Sequence, residues 1–544
     1  MLSTTQAVHS PETLSAFLEG AAARNPDAEA FHEEGRALSW REFPALTRRV
    51  ATGLFRHGLR PGDRVALWMP TLLDYLVLAF ATWRCGAVVV SVNTRFQSSE
   101  LEHVLGGERP AMLAFSPGFS DMDVSAVLAR VSPGALASIH TILLQGGGLE
   151  PSFVQPDHME TRIVPLDALK DAPEMAEDAA TPDSPAVTFT TSGTTRAPKF
   201  VLHRHRGVTH HSRDVAAALG FDAPDAVTLQ ATPLCAVYGF NQSLATIAGG
   251  RPQILMARFD GVEAAALVRR HRVTHLMGTD DMFHRMLQSV PERHAFPSLR
   301  ACGYVLFNPA LKGFLEEAEQ RGLPLIGLYG MSEVQALFAG QRPDAPAALR
   351  HRDGGFPFSP LAGVRVRDEE TGALLPHERT GLLELRGPSL MAGYLEDEAA
   401  TRAAFTEDGW LRTGDLAYTL PDGSFRYVAR AGDALRLGGF LTSPAEIEAH
   451  IERHPAVAGV QVVGATSATR PCAVAFVLLH PGAAFDEAAM RSWCAEGLAR
   501  YKVPARIVPL EEFPVTRSGN GTKIQRAALR RMAQALFEGD VPAG

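Results

Sequence analysis

Helix-length stretches alternate with short apolar runs over residues 39–92, and this rhythm constrains the fold more than any other feature of the chain. Residues 40–57 read as a helix, whereas Arg64-Val-Ala-Leu-Trp-Met69 and Gly86-Ala-Val-Val-Val-Ser-Val92 have the length of strands. Runs with no polar alternation suit strands buried on both faces, as in a parallel sheet covered by helices. The alternation returns at 226–230, 253–256, 274–277 and 325–328, so the expected class is α/β, with large N-terminal parallel sheets and helices. Residues 145–185, rich in glycine, proline and acids, read as a loop-filled connection. From 357 to 427, short strands and turn signals such as Pro421-Asp-Gly-Ser424 predict a β subdomain. After Arg430 the pattern becomes a small α+β unit. A chain of 544 residues exceeds a single core, and the expected division is a body over 1–431 and a C-terminal domain over 432–544.

Composition narrows the function classes. Hydrophobic residues at 46% and charged residues at 21% are those of a soluble globular enzyme. A net charge of -8 argues against a broad nucleic-acid surface, which needs clustered cations. The five scattered cysteines lack CxxC spacing, suggest neither disulfides nor zinc, and fit a reducing cytoplasm. No export signal or membrane span is predicted from the sequence. Only Lys170, Lys199, Lys312, Lys502 and Lys523 among the 52 basic residues are lysine. Where arginine serves general positive charge, a remaining lysine points to a need for a compact ammonium.

The segment Phe189-Thr-Thr-Ser-Gly-Thr-Thr-Arg-Ala-Pro-Lys199 lies between two apolar runs. Backbone amides around Gly193, hydroxyl side chains and a closing cation suit a polyphosphate. The pattern is not GxxxxGK followed by Ser or Thr, and taken alone it reads equally as a Ser/Thr-rich surface turn.

The loop nevertheless resembles the TSGTTGxPKG signature of the adenylate-forming superfamily, which includes acyl-CoA synthetases, peptide-synthetase adenylation domains and luciferases. Further segments resemble that family in its own order: Leu38-Ser-Trp-Arg-Glu-Phe43, Gly86-Ala-Val continuing to Asn93-Thr-Arg95, Tyr329-Gly-Met-Ser-Glu333, Gly393-Tyr394 and Trp410-Leu-Arg-Thr-Gly-Asp415. Arg430, Gly438-Gly439, Pro444-Ala-Glu-Ile-Glu448, Tyr501-Lys-Val-Pro504 and Gly521-Thr-Lys-Ile524 complete the series.

The resemblance implies roles for individual residues. Thr191, Ser192, Gly193, Thr194, Thr195 and Lys199 would cradle the β- and γ-phosphates of ATP. Tyr329, Gly330, Met331 and Ser332 would line the nucleotide site, with Tyr329 beside adenine and Ser332 on the α-phosphate, while Glu333 would hold Mg²⁺. Without the resemblance, a Glu after Ser reads as a helix cap. Asp415 would accept the ribose hydroxyls with Arg430 beside it, and Lys523 would bridge the attacking carboxylate and the α-phosphate. Lys523, Ser332 and Glu333 are thus the expected catalytic residues, and Gly432 the hinge about which the C-terminal domain turns. The acyl pocket would be lined by Ala236, Val237, Tyr238 and Gly239 on one side and by Val305, Leu306 and Phe307 on the other, suiting an apolar or aromatic acid of modest length.

Several positions depart from the family pattern. Arg196 and Phe200 replace loop glycines, Ala236 stands where CoA ligases have a histidine, Tyr304-Val-Leu-Phe-Asn308 replaces a turn of small residues, and Gly438-Gly-Phe-Leu-Thr-Ser443 replaces the loop nearest the thiol acceptor. The leading expectation is an acid-CoA ligase that uses ATP and Mg²⁺, forms acyl-AMP and passes the acyl group to CoA. The alternatives are an amide ligase, in which an amine attacks the acyl-adenylate, and an inert nucleotide- or acyl-binding paralogue. Retention of Lys199, Glu333, Asp415, Arg430 and Lys523 speaks against the last.

Overall fold

The computed structural model describes residues 9–537 except 118, 120–122, 147–154, 156–158, 160, 192–197, 306–312, 432–434, 438–439, 443, 468–469, 499–501 and 519–520. Two large mixed sheets form the body. One has eight strands and contains Arg64–Trp68, Val88–Ser91 and Pro185–Thr190 as parallel neighbours; the other has nine and contains His275–Thr279, Ala301–Val305 and Leu325–Tyr329. The largest core cluster draws on strand residues of both sheets, such as Val89, Val187, Met277 and Ile326, and on the helices between them, such as Leu76, Val208 and Leu244. Separate clusters cover the outer faces, giving alternating helix and sheet layers.

Local sequence explains why these elements form. In the helix Glu42–Arg56 the buried residues Phe43, Leu46, Thr47, Val50, Ala51 and Leu54 recur at helical spacing. Ser39 and Glu42 close its start reciprocally: the Ser39 backbone N–H donates to Glu42 Oε2 at 2.8 Å, and the Glu42 N–H donates to Ser39 Oγ at 3.3 Å. The early motif Leu38–Phe43 is therefore a capping box with its apolar follow-on. The helix Leu73–Arg84 is buried along its whole length, in keeping with its central apolar run Leu76-Val-Leu-Ala-Phe-Ala81.

Three features were not evident from local pattern. The stretch 145–185 contains the strand Arg162–Pro165, added to the edge of the eight-stranded sheet, and the helix Asp167–Lys170, whose Leu169 is buried against Gly53. Four-residue elements are too short to show a period. The strands Gly363–Arg367, Gly381–Arg386, Leu411–Thr419 and Phe425–Arg430 form an antiparallel sheet, yet Gly393–Tyr394, from the same stretch, pairs with Phe200–Arg204 in the eight-stranded sheet. The body sheets are not purely parallel: antiparallel strands close both margins of the nine-stranded sheet and one margin of the eight-stranded sheet, whose other edge, Arg162–Pro165, is parallel.

Beyond residue 434, a sheet of Val457–Ser467, Arg470–Leu479 and Arg506–Pro509 is packed on one face by the helices Pro444–Ile451 and Glu487–Gly497 and on the other by Arg526–Ala535. Lys523 lies on the hairpin of Val515–Ser518 and Gly521–Ile524, with Thr516 as its register partner. Gly432 lies outside the described residues. Among those described, no helix is long and apolar enough to cross a membrane, and all five cysteines are free.

Candidate active site

The site grows from the C-terminal ends of two parallel strands, Pro185–Thr190 and Leu325–Tyr329, where open α/β sheets leave room for ligands. The phosphate-loop candidate is the connection of a hairpin. Pro185–Thr190 runs antiparallel to Phe200–Arg204; the Thr191 N–H donates to the Lys199 carbonyl at 2.9 Å, and the Lys199 N–H donates to Thr191 Oγ1 at 3.0 Å. The root of the loop is therefore set by a main-chain bond and by the Thr191 hydroxyl. Ser192, Gly193, Thr194, Thr195 and Arg196 lie outside the described residues.

From this root the Lys199 ammonium lies over the ring of Tyr394, 4.4 Å from its centroid. The Tyr394 hydroxyl donates to Glu333 Oε1 at 2.9 Å, and burial, followed by the Glu333 carboxylate, pushes its acidity well below that of free tyrosine. Glu333 itself is 8% exposed, and among the described residues its Oε2 has no donor. Tyr394 is the residue that sequence reasoning passed over as part of a two-residue motif. Its role became visible only when Gly393–Tyr394 paired with the strand leaving the loop.

The segment Tyr329–Ala336 makes a tight reversal. Ser332–Val334 form one 3₁₀ turn, and Gln335 and Ala336 both take left-handed backbone angles, with φ of 63° and 64°. The reversal brings the Ala336 carbonyl against Gly330, where a Cβ would lie 1.1 Å from that oxygen. Two buried histidines hold the turn from behind. His203 Nε2 donates to the Ser332 carbonyl at 2.8 Å, and His211 Nε2 to the Gln335 carbonyl at 3.1 Å. Burial depresses their pKa values to about 4 and about 3, so both are neutral at pH 7. Histidines in an apolar strand and helix carry no signal of this role, because they read as core residues.

Tyr329 begins the same segment and reaches the antiparallel sheet. Its hydroxyl donates to Asp415 Oδ2 at 2.6 Å, and Arg430 Nη1 donates to Asp415 Oδ1 at 2.6 Å. Asp415 and Arg430 are register partners on neighbouring strands, so their pairing follows from strand order. Burial, then the nearby Asp415 charge, raises the Tyr329 pKa far above its usual value. Burial alone would lower the Arg430 pKa, but the Asp415 carboxylate outweighs it and the net shift is upward. The Arg430 charge is also felt at Tyr394, linking the two halves of the site.

On the acyl side, Ala236 is the residue before the helix Val237–Gly249, and Tyr238 lies in its first turn. The Tyr238 hydroxyl donates to the Gly303 carbonyl at 2.9 Å. Gly239 packs against the Pro233 carbonyl, which a Cβ would approach to 2.3 Å. Val305 ends the strand beside Tyr304, whereas Leu306 and Phe307 lie outside the described residues. Cys235 is buried with its thiol near Thr94, and burial raises its pKa.

The residues fit a metal nucleotide. Mg²⁺ usually takes one or two protein carboxylates and completes its shell with substrate phosphates and water. Glu333 provides one such group, and no cluster of three or more metal-binding side chains occurs among the described residues. Asp415 has accepted two hydrogen bonds out of roughly four that a carboxylate can take.

Comparison with known proteins gives the family. The family profile described as AMP-binding enzyme matches residues 18–395, and that described as AMP-binding enzyme C-terminal domain matches residues 446–520. The 2-succinylbenzoate–CoA ligase of Geobacillus kaustophilus (strain HTA426) is 29% identical, over 96% of this chain and 98% of its own. The 4-coumarate–CoA ligase 5 of Oryza sativa subsp. japonica is 30% identical, over 91% of this chain and 89% of its own. The crystal structure of ATP-bound MatB from Rhodopseudomonas palustris superposes with a TM-score of 0.82 at 26% identity, covering 96% of this chain and 100% of that one. Since the first profile alone spans well over half the residues, the chain belongs to the AMP-binding enzyme family and is an AMP-forming ligase.

Proposed function

We propose that this protein joins a carboxylic acid to ATP to form acyl-AMP and pyrophosphate, then transfers the acyl group to CoA. The observation that carries the first step is the chain of contacts Lys199–Tyr394–Glu333: a cation with no carboxylate partner among the described residues, joined through a phenol to a buried carboxylate that, among those same residues, keeps one oxygen uncommitted. Such an arrangement suits the β- and γ-phosphates at Lys199 and Thr191, with Glu333 holding the Mg²⁺ that neutralises them. Asp415 then accepts the ribose hydroxyls, kept in place by Tyr329 and Arg430. The acid's carboxylate oxygen attacks the α-phosphorus, and the bond to pyrophosphate breaks. Lys523 brings a cation to the carboxylate and the α-phosphate, where negative charge builds. We place the domain boundary at 431/432, with Gly432 as the hinge that lets the C-terminal domain present first Lys523 and then the thiol path.

CoA is favoured as acceptor by the CoA ligases among the relatives. Its sulfur would attack the acyl carbonyl and release AMP. Ala236 supports a second reading, an amide ligase, because no imidazole stands at the start of the helix Val237–Gly249. Tyr238, whose hydroxyl is tied to the Gly303 carbonyl, favours an apolar or aromatic acid of modest length. The test is acid-dependent exchange of pyrophosphate into ATP over an acid panel, followed by mass spectrometry of products with CoA and amines offered together. Exchange with a CoA thioester as sole product supports the main reading. An amide as sole product selects the second, and no exchange with any acid removes both.

The ribose assignment makes its own prediction. Asp415→Asn has one acceptor oxygen where the carboxylate has two, so it cannot serve Tyr329, Arg430 and the ribose together. MgATP and AMP are both expected to bind roughly 10- to 100-fold more weakly, the worth of one or two charge-assisted hydrogen bonds. Calorimetric titration checks this, and unchanged AMP affinity would remove Asp415 from the ribose.

A further inference from the structure

Lys199 is followed by Phe200, where the family resemblance leads one to expect glycine, and the structure shows where that ring goes. Phe200 lies across the helix Ser98–Glu108 at Gly107; a Cβ on Gly107 would sit 2.5 Å from the Phe200 ring edge. Glycine is a poor helix former, so its presence in this helix is accounted for by the seat it leaves for the ring. One turn earlier on the same face, His103 stacks on Phe200, with ring centroids 5.2 Å apart and planes at 24°. His103 Nε2 also donates to the Pro198 carbonyl at 2.8 Å, directly before Lys199. The Phe200 main chain pairs with Thr190 and accepts a hydrogen bond from the Leu395 N–H at 2.9 Å, beside Tyr394. One helix outside the nucleotide-contacting segments thus grips the residues on either side of Lys199.

We propose that His103 is a positioning residue for Lys199. With the seat that Gly107 leaves for Phe200, it ties the helix Ser98–Glu108 to the root of the phosphate loop and sets where the ammonium meets the polyphosphate. The replacement of glycine by Phe200 is therefore one half of a brace whose other half is His103 and Gly107. This inference rests on the reading of Lys199 as the cation for the β- and γ-phosphates. A brace at Lys199 affects ligands that carry those phosphates and leaves AMP, held through Asp415 and Arg430, untouched.

The test uses the full chain and calorimetric titration with MgATP, inorganic pyrophosphate with Mg²⁺, and AMP. His103→Ala is expected to weaken MgATP and pyrophosphate about five-fold, the worth of one hydrogen bond, with AMP unchanged. His103→Gln, which can keep a donor near the Nε2 position, is expected to restore most of the loss. Phe200→Gly is expected to act in the same direction, and in a Lys199→Ala background His103→Ala should add nothing. Unchanged MgATP affinity in His103→Ala, or parallel weakening of AMP, overturns the proposal, since a merely structural residue lowers stability without separating the ligands. If Lys199→Ala binds MgATP as the parent does, the polyphosphate reading of Lys199 falls first, and the two failures are told apart.

Discussion

Gly330→Ala is expected to destabilise the protein by about 4 kcal/mol or more and to remove measurable MgATP binding, a cost at the upper end for single substitutions. The added methyl would meet the Ala336 carbonyl at 1.1 Å, and the clash is with main chain, so no side-chain rotation relieves it. The reversal over 330–336 must open. It cannot open quietly, because Ser332 and Gln335 offer their carbonyls to buried, neutral histidines that would be left without acceptors. Opening would also move Tyr329 from Asp415 and Glu333 from Tyr394, the contacts that order both halves of the site. The check is the unfolding midpoint together with a MgATP titration. A variant with the parent's midpoint and affinity would show that the turn relaxes at no cost.

Lys523→Ala is expected to lower the adenylation rate about 10³-fold while MgATP affinity stays within about two-fold, as for loss of one group that acts on transition-state charge. Lys523 sits on the hairpin of the C-terminal unit, opposite Thr516, whereas the cation at the loop root is Lys199 on the body. The proposed division of labour is that Lys199 holds ground-state phosphates and Lys523 meets charge that develops during attack. Single-turnover formation of acyl-AMP, measured beside MgATP affinity, separates the two. An active Lys523→Ala enzyme, or one whose defect is wholly in MgATP binding, removes the catalytic assignment.

The scarcity of lysine shows both the reach and the limit of sequence reasoning. It drew attention to five positions, and the structure sorts them by partner. Lys170 pairs with Asp74 and Asp167, and Lys502 with Glu446, so both act in the scaffold. Lys199 has a tyrosine ring beneath it and no carboxylate partner among the described residues. Lys523 lies on its hairpin, and Lys312 falls outside the described residues. Composition marked the lysines as chemically distinct, but only their neighbours separate an ion pair from a ligand site.

The features legible in the chain alone are local or strictly ordered along it: the α/β rhythm, the hydroxyl-rich loop from Thr191 to Lys199 and the succession of family segments. These are legible because helix period, strand length and hydroxyl-rich turns are short-range properties of the backbone and its side chains. Which distant segments meet is settled only in the folded chain. Tyr394 reaches Glu333 and Lys199 because a two-residue strand leaves the β region to pair beside Phe200, and Asp415 meets both Tyr329 and Arg430 by strand register. His103 reaches Pro198 because Gly107 admits an aromatic ring across the helix. The physical reason is that such contacts are chosen by packing and by the closure of long loops, whose cost and reward depend on the whole core and leave no periodic trace in the chain.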